Sequence, residues 1–267
     1  MVVITIKIKN DKYYTNPELA KYIVNKAKKI IREENITEYL EPSAGSGVFL
    51  DYLDKPYLAY DIEPEDDRII KQDFLKMDLE YKKGRCVISN PPFGDRMNMA
   101  QKFYKKSIKL GDYVVFILPI SQLNNSRSLY EFDLIYSKDL GKRKYTDRNL
   151  HCCLNIYKRP SKCLNKRPIS KLKDITIVRQ DSKKYKNTKY DVRMCYWGDG
   201  TAGKILSDDE NYSGEYKIII NSKEKYDEIK TFIETFEWNK HIDGIAMKRL
   251  KQYHIIEILK KYIPNIK

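Results

Sequence analysis

Asn90-Pro91-Pro92-Phe93 brings together residue types that can do chemistry as a unit. Each proline lacks an N–H and fixes its φ, so the pair forms a rigid, extended hook. The hook presents two hydrogen-bond acceptors, the Asn90 side-chain oxygen and the Pro91 carbonyl, beside the flat face of Phe93. Two acceptors next to an apolar plane suit an exocyclic NH2 on a planar base. Upstream, Glu41-Pro42-Ser43-Ala44-Gly45-Ser46-Gly47 reads as a glycine-bearing turn. Gly45 and Gly47 carry no Cβ, so the backbone there can approach a nucleotide-like ligand closely.

Both stretches follow short apolar runs that read as buried strands, residues 37–40 and 87–89. Residues 48–53 are expected to begin a helix after the glycine turn, completing a strand–turn–helix unit. In an open α/β sheet, ligands bind outside the carboxyl ends of the strands, where both stretches would then lie. Residues 57–60 form a second strand ending at Asp61, an acid placed to accept hydrogen bonds from ribose hydroxyls, with Ile62 beside it to lie against a ring. A third segment, 69–72, leads to Asp73-Phe74. A helix starts at Pro17, capped by Thr15 or Asn16, with Leu19, Ala20, Ile23, Val24 and Ala27 on one face. Further strands are expected at 2–8, 113–118, 134–136 and 150–157, a helix at 97–110, and a polar loop at 121–127. Residues 161–168 read as a linker. Beyond it come strands at 175–179, 191–197 and 217–220 and helices at 223–236 and 247–262. This pattern predicts a Rossmann-like α/β sheet with helices on both faces over residues 1–160, and a smaller α+β region over 161–267.

Taken together, Glu41–Gly47 and Asn90–Phe93 resemble motifs I and IV of the S-adenosylmethionine-dependent adenine-N6 DNA methyltransferases. The motif order resembles that of their gamma group, and the resemblance covers roughly residues 12–160. It implies S-adenosyl-L-methionine as cofactor, bound by Tyr14, Thr15, Glu41, Pro42, Ser43, Ala44, Gly45, Gly47, Asp61, Ile62, Asp73 and Phe74. Asp73 would accept from the cofactor's adenine amino group. The segment containing Tyr14, Thr15 and Pro17 resembles motif X, although Asn16 stands between the threonine and the proline. Residues 145–151 resemble motif VIII, which implies that Tyr145 stacks on an extruded base together with Phe93. Asn90, Pro91, Pro92 and Phe93 are then the catalytic residues. The amine of adenine is a poor nucleophile because its lone pair is delocalised into the ring. Holding both its N–H groups turns that lone pair toward the methyl sulfonium for an in-line displacement, driven by positioning and electrostatics. No covalent enzyme intermediate is required. Extrusion from a duplex costs a few kcal/mol, which stacking at roughly 1–3 kcal/mol per base would offset.

The 267 residues carry a formal net charge of +14. Between residues 138 and 193 there are 18 Lys/Arg against 5 Asp/Glu, so nearly all of the excess sits in one stretch. Such concentration favours a polyanionic partner, with Lys142, Arg143, Lys144 and Arg148 as candidate phosphate contacts; the resemblance and the C-terminal region imply that this partner is DNA, double-stranded. Five cysteines, an odd number, without a secretory signal point to reduced thiols in a cytoplasmic protein. Cys152 and Cys153 are adjacent on an expected strand and so face opposite ways. With three histidines and none at ligand spacing, no metal is expected, and no apolar run is long enough for a membrane span. Three other readings share these features. Asn-Pro-Pro-Phe also occurs in RNA adenine methyltransferases. Cytosine-N4 enzymes commonly replace the asparagine by Ser or Asp. A catalytically idle nucleic-acid-binding protein could keep the fold.

Overall fold

The structure, a computed structural model, describes residues 15–125, 127–145, 148–179, 189–198, 200–210, 212, 214–241 and 249–267; at 143–145, 148, 149 and 241 it describes the backbone alone. The expected strand at 2–8 lies outside the described residues. The chain divides into two compact units, Met1–Pro168 and Ile169–Lys267.

The first unit is built on a seven-stranded sheet. Its strands are β1 (Glu38–Glu41), β2 (Tyr57–Asp61), β3 (Ile70–Lys71), β4 (Arg85–Ser89), β5 (Tyr113–Pro119), β6 (Asp133–Tyr145) and β7 (Arg148–Lys158), in the order β3-β2-β1-β4-β5-β7-β6. The first five in that order are parallel, and β7 runs antiparallel to both of its neighbours. Strand alternation splits the side chains into two cores. Tyr39, Cys86, Ile88, Val115, Ile117, Leu154 and Ile156 pack on one face with α1 (Pro17–Ile31). Leu40, Val87, Val114, Phe116, Leu118 and Tyr157 pack on the other with α2 (Asn98–Leu110). Cys152 joins the first core and Cys153 the second, as their adjacency requires. With helices on both faces, this is a Rossmann-like α/β sheet.

Helix α1 forms where the apolar periodicity places it. Pro17 occupies its first turn, and the Asn16 side chain accepts a hydrogen bond from Leu19 N at 2.7 Å. Its buried Leu19, Ile23, Val24 and Ile31 contribute about 1.5–3 kcal/mol each. The expected helix at 48–53 is absent. Leu50–Tyr52 makes only a single 3₁₀ turn, because Gly47 sits at φ +76° on one side and Pro56 follows closely on the other. The hairpin of β6 and β7 is longer than expected. Residues 137–149, read as connection, are mostly strand, and Tyr145 pairs with Arg148 across residues 146–147. β5 covers β7 only from Lys158 to Cys152. The last residues of the hairpin therefore project past the carboxyl end of β5, where no neighbouring strand imposes an apolar alternation.

The second unit is a three-stranded antiparallel sheet, ordered β8 (Ile175–Arg179), β10 (Glu215–Ile220), β9 (Val192–Cys195), with α3 (Tyr226–Thr235) and α4 (Gln252–Tyr262). Its core gathers Met194, Ile218, Ile229, Ile233, Leu250, Ile255 and Leu259 around Trp238, whose Nε1 donates to Ile233 O at 2.8 Å. Among the described residues, no helix is long and apolar enough to cross a membrane.

Candidate functional site

Strand order reverses between β1 and β4, so their outgoing loops diverge and leave a crevice at the carboxyl edge. The glycine turn leaves β1 and Asn90-Pro91-Pro92-Phe93 leaves β4 at that crevice. It holds a cavity of about 230 Å³. One wall is Pro42, Ser43, Ala44, Gly45 and Ser46, and the opposite wall carries Thr15, Asn90 and Pro92. Asp61, Ile62 and Asp73 stand at one end, while Phe74, Leu75, Val48, Phe49, Met99 and Phe103 supply apolar lining. The arrangement suits an elongated ligand with a hydroxylated polar part and a flat apolar part.

Asp61 organises the glycine turn. Its two carboxylate oxygens accept from Gly45 N and Glu63 N, each at 2.8 Å. A carboxylate has about four acceptor directions, so this leaves room for ligand hydroxyls. Ile62 lines the cavity and is 46% exposed. Asp73 accepts from Leu75 N at 2.9 Å and lies 3.4 Å from the exposed Lys76.

Gly47 is not part of the wall, contrary to its expected role beside a ligand. A Cβ there would meet Asp66 Oδ2 at 3.0 Å and Arg68 Nη2 at 3.2 Å. Those two groups pair with each other at 2.7 Å, and Arg68 also reaches Asp51 at 2.8 Å. Gly47 thus admits the 66–68 loop, and Gly45 alone of the two borders the cavity.

On the opposite wall, Asn90 is half-buried and its Nδ2 donates to Thr15 Oγ1 at 3.2 Å. Asn16, by capping α1, leaves the Thr15 hydroxyl available for this bond, which orients the Asn90 amide. The chain is then turned into α2 by Phe93 O, which accepts from Met99 N at 3.1 Å and Ala100 N at 3.3 Å. Gly94 makes that turn at φ +67°, where an added Cβ would strike Asn98 Oδ1 at 2.0 Å. Pro91 is buried, and Phe93 packs partly against the core that includes Leu140 and Cys152.

A hydroxyl chain that sequence reasoning missed joins the two walls from behind. Ser89 Oγ donates to Glu41 Oε1 at 2.6 Å and lies 2.7 Å from Ser43 Oγ, which reaches Asn90 O at 3.4 Å. Serine is too common for Ser89 to stand out in the sequence. Glu41 lies behind the cavity wall, 1% exposed, and its Oε2 has no partner among the described residues. Burial pushes this carboxyl up to about 8. A folded-state value raised above the unfolded one contributes stability that is full below about pH 4.5 and is lost as pH rises through about 8. Over that window Glu41→Gln should remove a slope of about 1.4 kcal/mol per pH unit. Urea unfolding at pH 5, 6.5 and 8 measures it; parallel pH profiles for wild type and variant would show that Glu41 titrates normally.

The long hairpin rises at the same edge. Leu140 is an extra residue between the Asp139–Cys153 and Gly141–Cys152 pairs, a bulge that bends the strand. Asp139 Oδ1 fixes it, accepting from Gly141 N at 2.7 Å and lying 2.8 Å from His151 Nε2. The Gly141 N–H, and His151 after it, hold the Asp139 carboxyl below its usual range. Lys142 is exposed beyond the bulge; the side chains of Arg143, Lys144, Tyr145 and Arg148, and all of Tyr14, lie outside the described residues.

Two members of the basic stretch are consumed inside the fold. Arg193 pairs with buried Glu215 at 2.6 Å, and Arg159 binds Asp112 at 3.1 Å and the Gly111 carbonyl at 2.9 Å. Every nitrogen of the Arg193 guanidinium is engaged, by Glu215 and by the Ser207 and Glu210 carbonyls, so it is not a phosphate contact. No group of three or more His, Cys, Asp or Glu that could hold a metal occurs among the described residues. Burial pushes the Cys86 thiol up, and the Cys153 thiol up to about 12, which removes both as nucleophiles.

No protein-family model matches the chain, and no curated protein matches its sequence. Solved structures with a similar arrangement include a Thermoplasma acidophilum protein at 15% identity, covering 58% of this chain and 93% of that one with a TM-score of 0.44. The 23S rRNA methyltransferase ErmE aligns at 11% identity over 58% of this chain and 72% of its own, with a TM-score of 0.43. Magnesium protoporphyrin IX methyltransferase from Synechocystis, solved with SAM bound, aligns at 11% identity over 53% and 79%, with a TM-score of 0.37.

Proposed function

We propose that the chain is an S-adenosylmethionine-dependent methyltransferase that modifies the N6 amine of adenine in DNA, taking the base out of the duplex. The observation that carries this reading is the shared cavity. One wall is a glycine turn fastened to an acid at the end of β2, and the other carries the Asn90 amide, oriented by Thr15. In this reading Asp61 takes the ribose hydroxyls, Ile62 and Phe74 bracket the adenine of the cofactor, and Asp73 receives its amino group. The cofactor's ammonium lies toward Ser43 and Glu41. Burial favours the neutral form of that acid, and an approaching cation favours its ionised form.

The target amine enters from the Asn90 side. The Asn90 Oδ1 and the Pro91 carbonyl accept hydrogen bonds from its two N–H groups, leaving the nitrogen lone pair directed at the methyl carbon. The methyl–sulfur bond breaks as the new nitrogen–carbon bond forms. The thioether leaves with the sulfur electron pair, and the amine proton is lost afterwards to solvent. Phe93 and Tyr145 supply stacking surface for the extruded base.

The projecting hairpin carries Lys142, Arg143, Lys144 and Arg148 at the edge where the base must enter, and it reads as an arm along the phosphates. Reversing the charge of Lys142, Arg143 and Lys144 should weaken nucleic-acid binding for every sequence and reduce the salt slope by about one unit per lost contact. Cofactor affinity should hardly move; an unchanged salt slope would leave the arm without this role. The experiment for the reading as a whole offers the chain methyl-labelled cofactor with duplex DNA and, separately, RNA. Label is expected in DNA. Label in RNA alone would transfer the same chemistry to RNA, and label in neither would overturn it.

A further inference from the structure

One edge of the second unit gathers two arginines and an exposed indole around a buried tyrosine. The carboxyl ends of β8 and β9 and the amino end of β10 meet at one edge of its sheet. There the ring of Tyr196, 5% exposed, is the platform for two arginines. The guanidinium of Arg179 lies 4.7 Å from the ring centroid and donates to the Tyr196 hydroxyl at 2.9 Å. That of Arg249 lies 5.5 Å from the same ring. Both residues are exposed, and no carboxylate among the described residues pairs with Arg249. Trp197 follows directly, 37% exposed, and bridges to Arg249 through the backbone. The indole is seated on Gly214, where a Cβ would meet its Nε1 at 2.0 Å, so its position depends on that residue's lacking a side chain.

The guanidinium of Arg249, held by the ring and without a carboxylate partner among the described residues, presents its N–H edges to phosphate oxygens. An indole exposed beside it offers a flat face for a base, and stacking of this kind tolerates any base. The neighbouring acid Glu215 does not oppose an anion, because its carboxylate is engaged by Arg193.

We propose that this edge binds a nucleic-acid strand, with an unstacked base against Trp197 and a flanking phosphate on Arg249. The proposal rests on the reading of the chain as a nucleic-acid methyltransferase and gives its second unit a defined contact site.

Trp197 and Trp238 are the only two tryptophans, and Trp238 is buried at 1% exposure, so Trp197 reports on the site. The full chain is titrated with a mixed-sequence single-stranded oligonucleotide and with an abasic strand of the same length. The oligonucleotide is expected to quench tryptophan emission and the abasic strand to quench little. Trp197→Phe should remove the quenching and lower affinity about tenfold, a moderate value for one stacked base. Arg249→Ala, at an exposed side chain, should weaken binding and reduce the salt slope by about one unit. Equal quenching by the two strands, or an unaltered affinity and slope in Arg249→Ala, would overturn the site. Cofactor binding and melting temperature, measured on each variant, show that it has folded. Absent quenching alongside intact methyl transfer would sink this proposal alone. Intact quenching with no methyl transfer would instead sink the methyltransferase reading.

Discussion

Asn90→Ala should lower methyl transfer by about 10²–10³-fold or more, while cofactor affinity stays near wild type. The estimate follows from removing one preorganised group that acts on the reacting amine. An interaction realised mainly in the transition state lowers kcat and kcat/KM together. The variant also loses the bond from Asn90 Nδ2 to Thr15 Oγ1, a half-buried hydrogen bond contributing about 0.5–1.5 kcal/mol. Its melting temperature should therefore fall by only a few degrees, roughly 2–4 °C per kcal/mol. Asn90→Ser keeps one acceptor and should remain above the alanine variant. Thr15→Ala leaves the amide in place but removes one bond that orients it, so its loss should be intermediate. Single-turnover kinetics with saturating cofactor separates these cases. Near-wild-type transfer by Asn90→Ala would remove Asn90 from the chemistry.

Asp61→Ala should raise the cofactor dissociation constant by about 10- to 150-fold, the equivalent of about 1.5–3 kcal/mol for a hydrogen bond to a charged acceptor. The structure adds that Asp61 also holds Gly45 N and Glu63 N. The alanine variant therefore loosens the turn as well, and part of the loss will appear as reduced thermal stability. Calorimetry with S-adenosylmethionine and its demethylated product distinguishes the contributions. The ribose is common to both ligands, so their affinities should fall by the same factor. A loss confined to the sulfonium form would place Asp61 near the methyl group, against the assignment made here.

Much of this arrangement was legible before any coordinates. The apolar runs of β4 and β5 are buried on both faces, and such runs stand out in a sequence. Asn16-Pro17 has the chemistry of a helix start, and the structure chose Asn16 over Thr15 as the cap. Asn90-Pro91-Pro92 stops a strand by covalent geometry alone, so its position at the sheet edge followed from residue type. Other features depended on contacts that spacing does not encode. Residues 48–53 have an apolar pattern that fits a helix, but too few residues separate Gly47 from Pro56 to build one. Gly47 accommodates Asp66 and Arg68, brought close only by the fold. The hairpin beyond Cys152 has no covering strand, so its sequence lacks the alternation that would have marked it. Arg193 counted as free charge until its buried partner Glu215 was placed.

The central claim is that the cavity between the glycine turn and Asn90 delivers a methyl group to an adenine amine. Its most direct test is the identity of the modified nucleoside. The chain is incubated with S-adenosylmethionine carrying a labelled methyl group and with duplex DNA of mixed sequence; the DNA is then digested to nucleosides, which are separated and identified by mass. Label is expected in N6-methyldeoxyadenosine and should be lost in Asn90→Ala. Label on cytosine, or label on adenine that persists undiminished in Asn90→Ala, would contradict the claim.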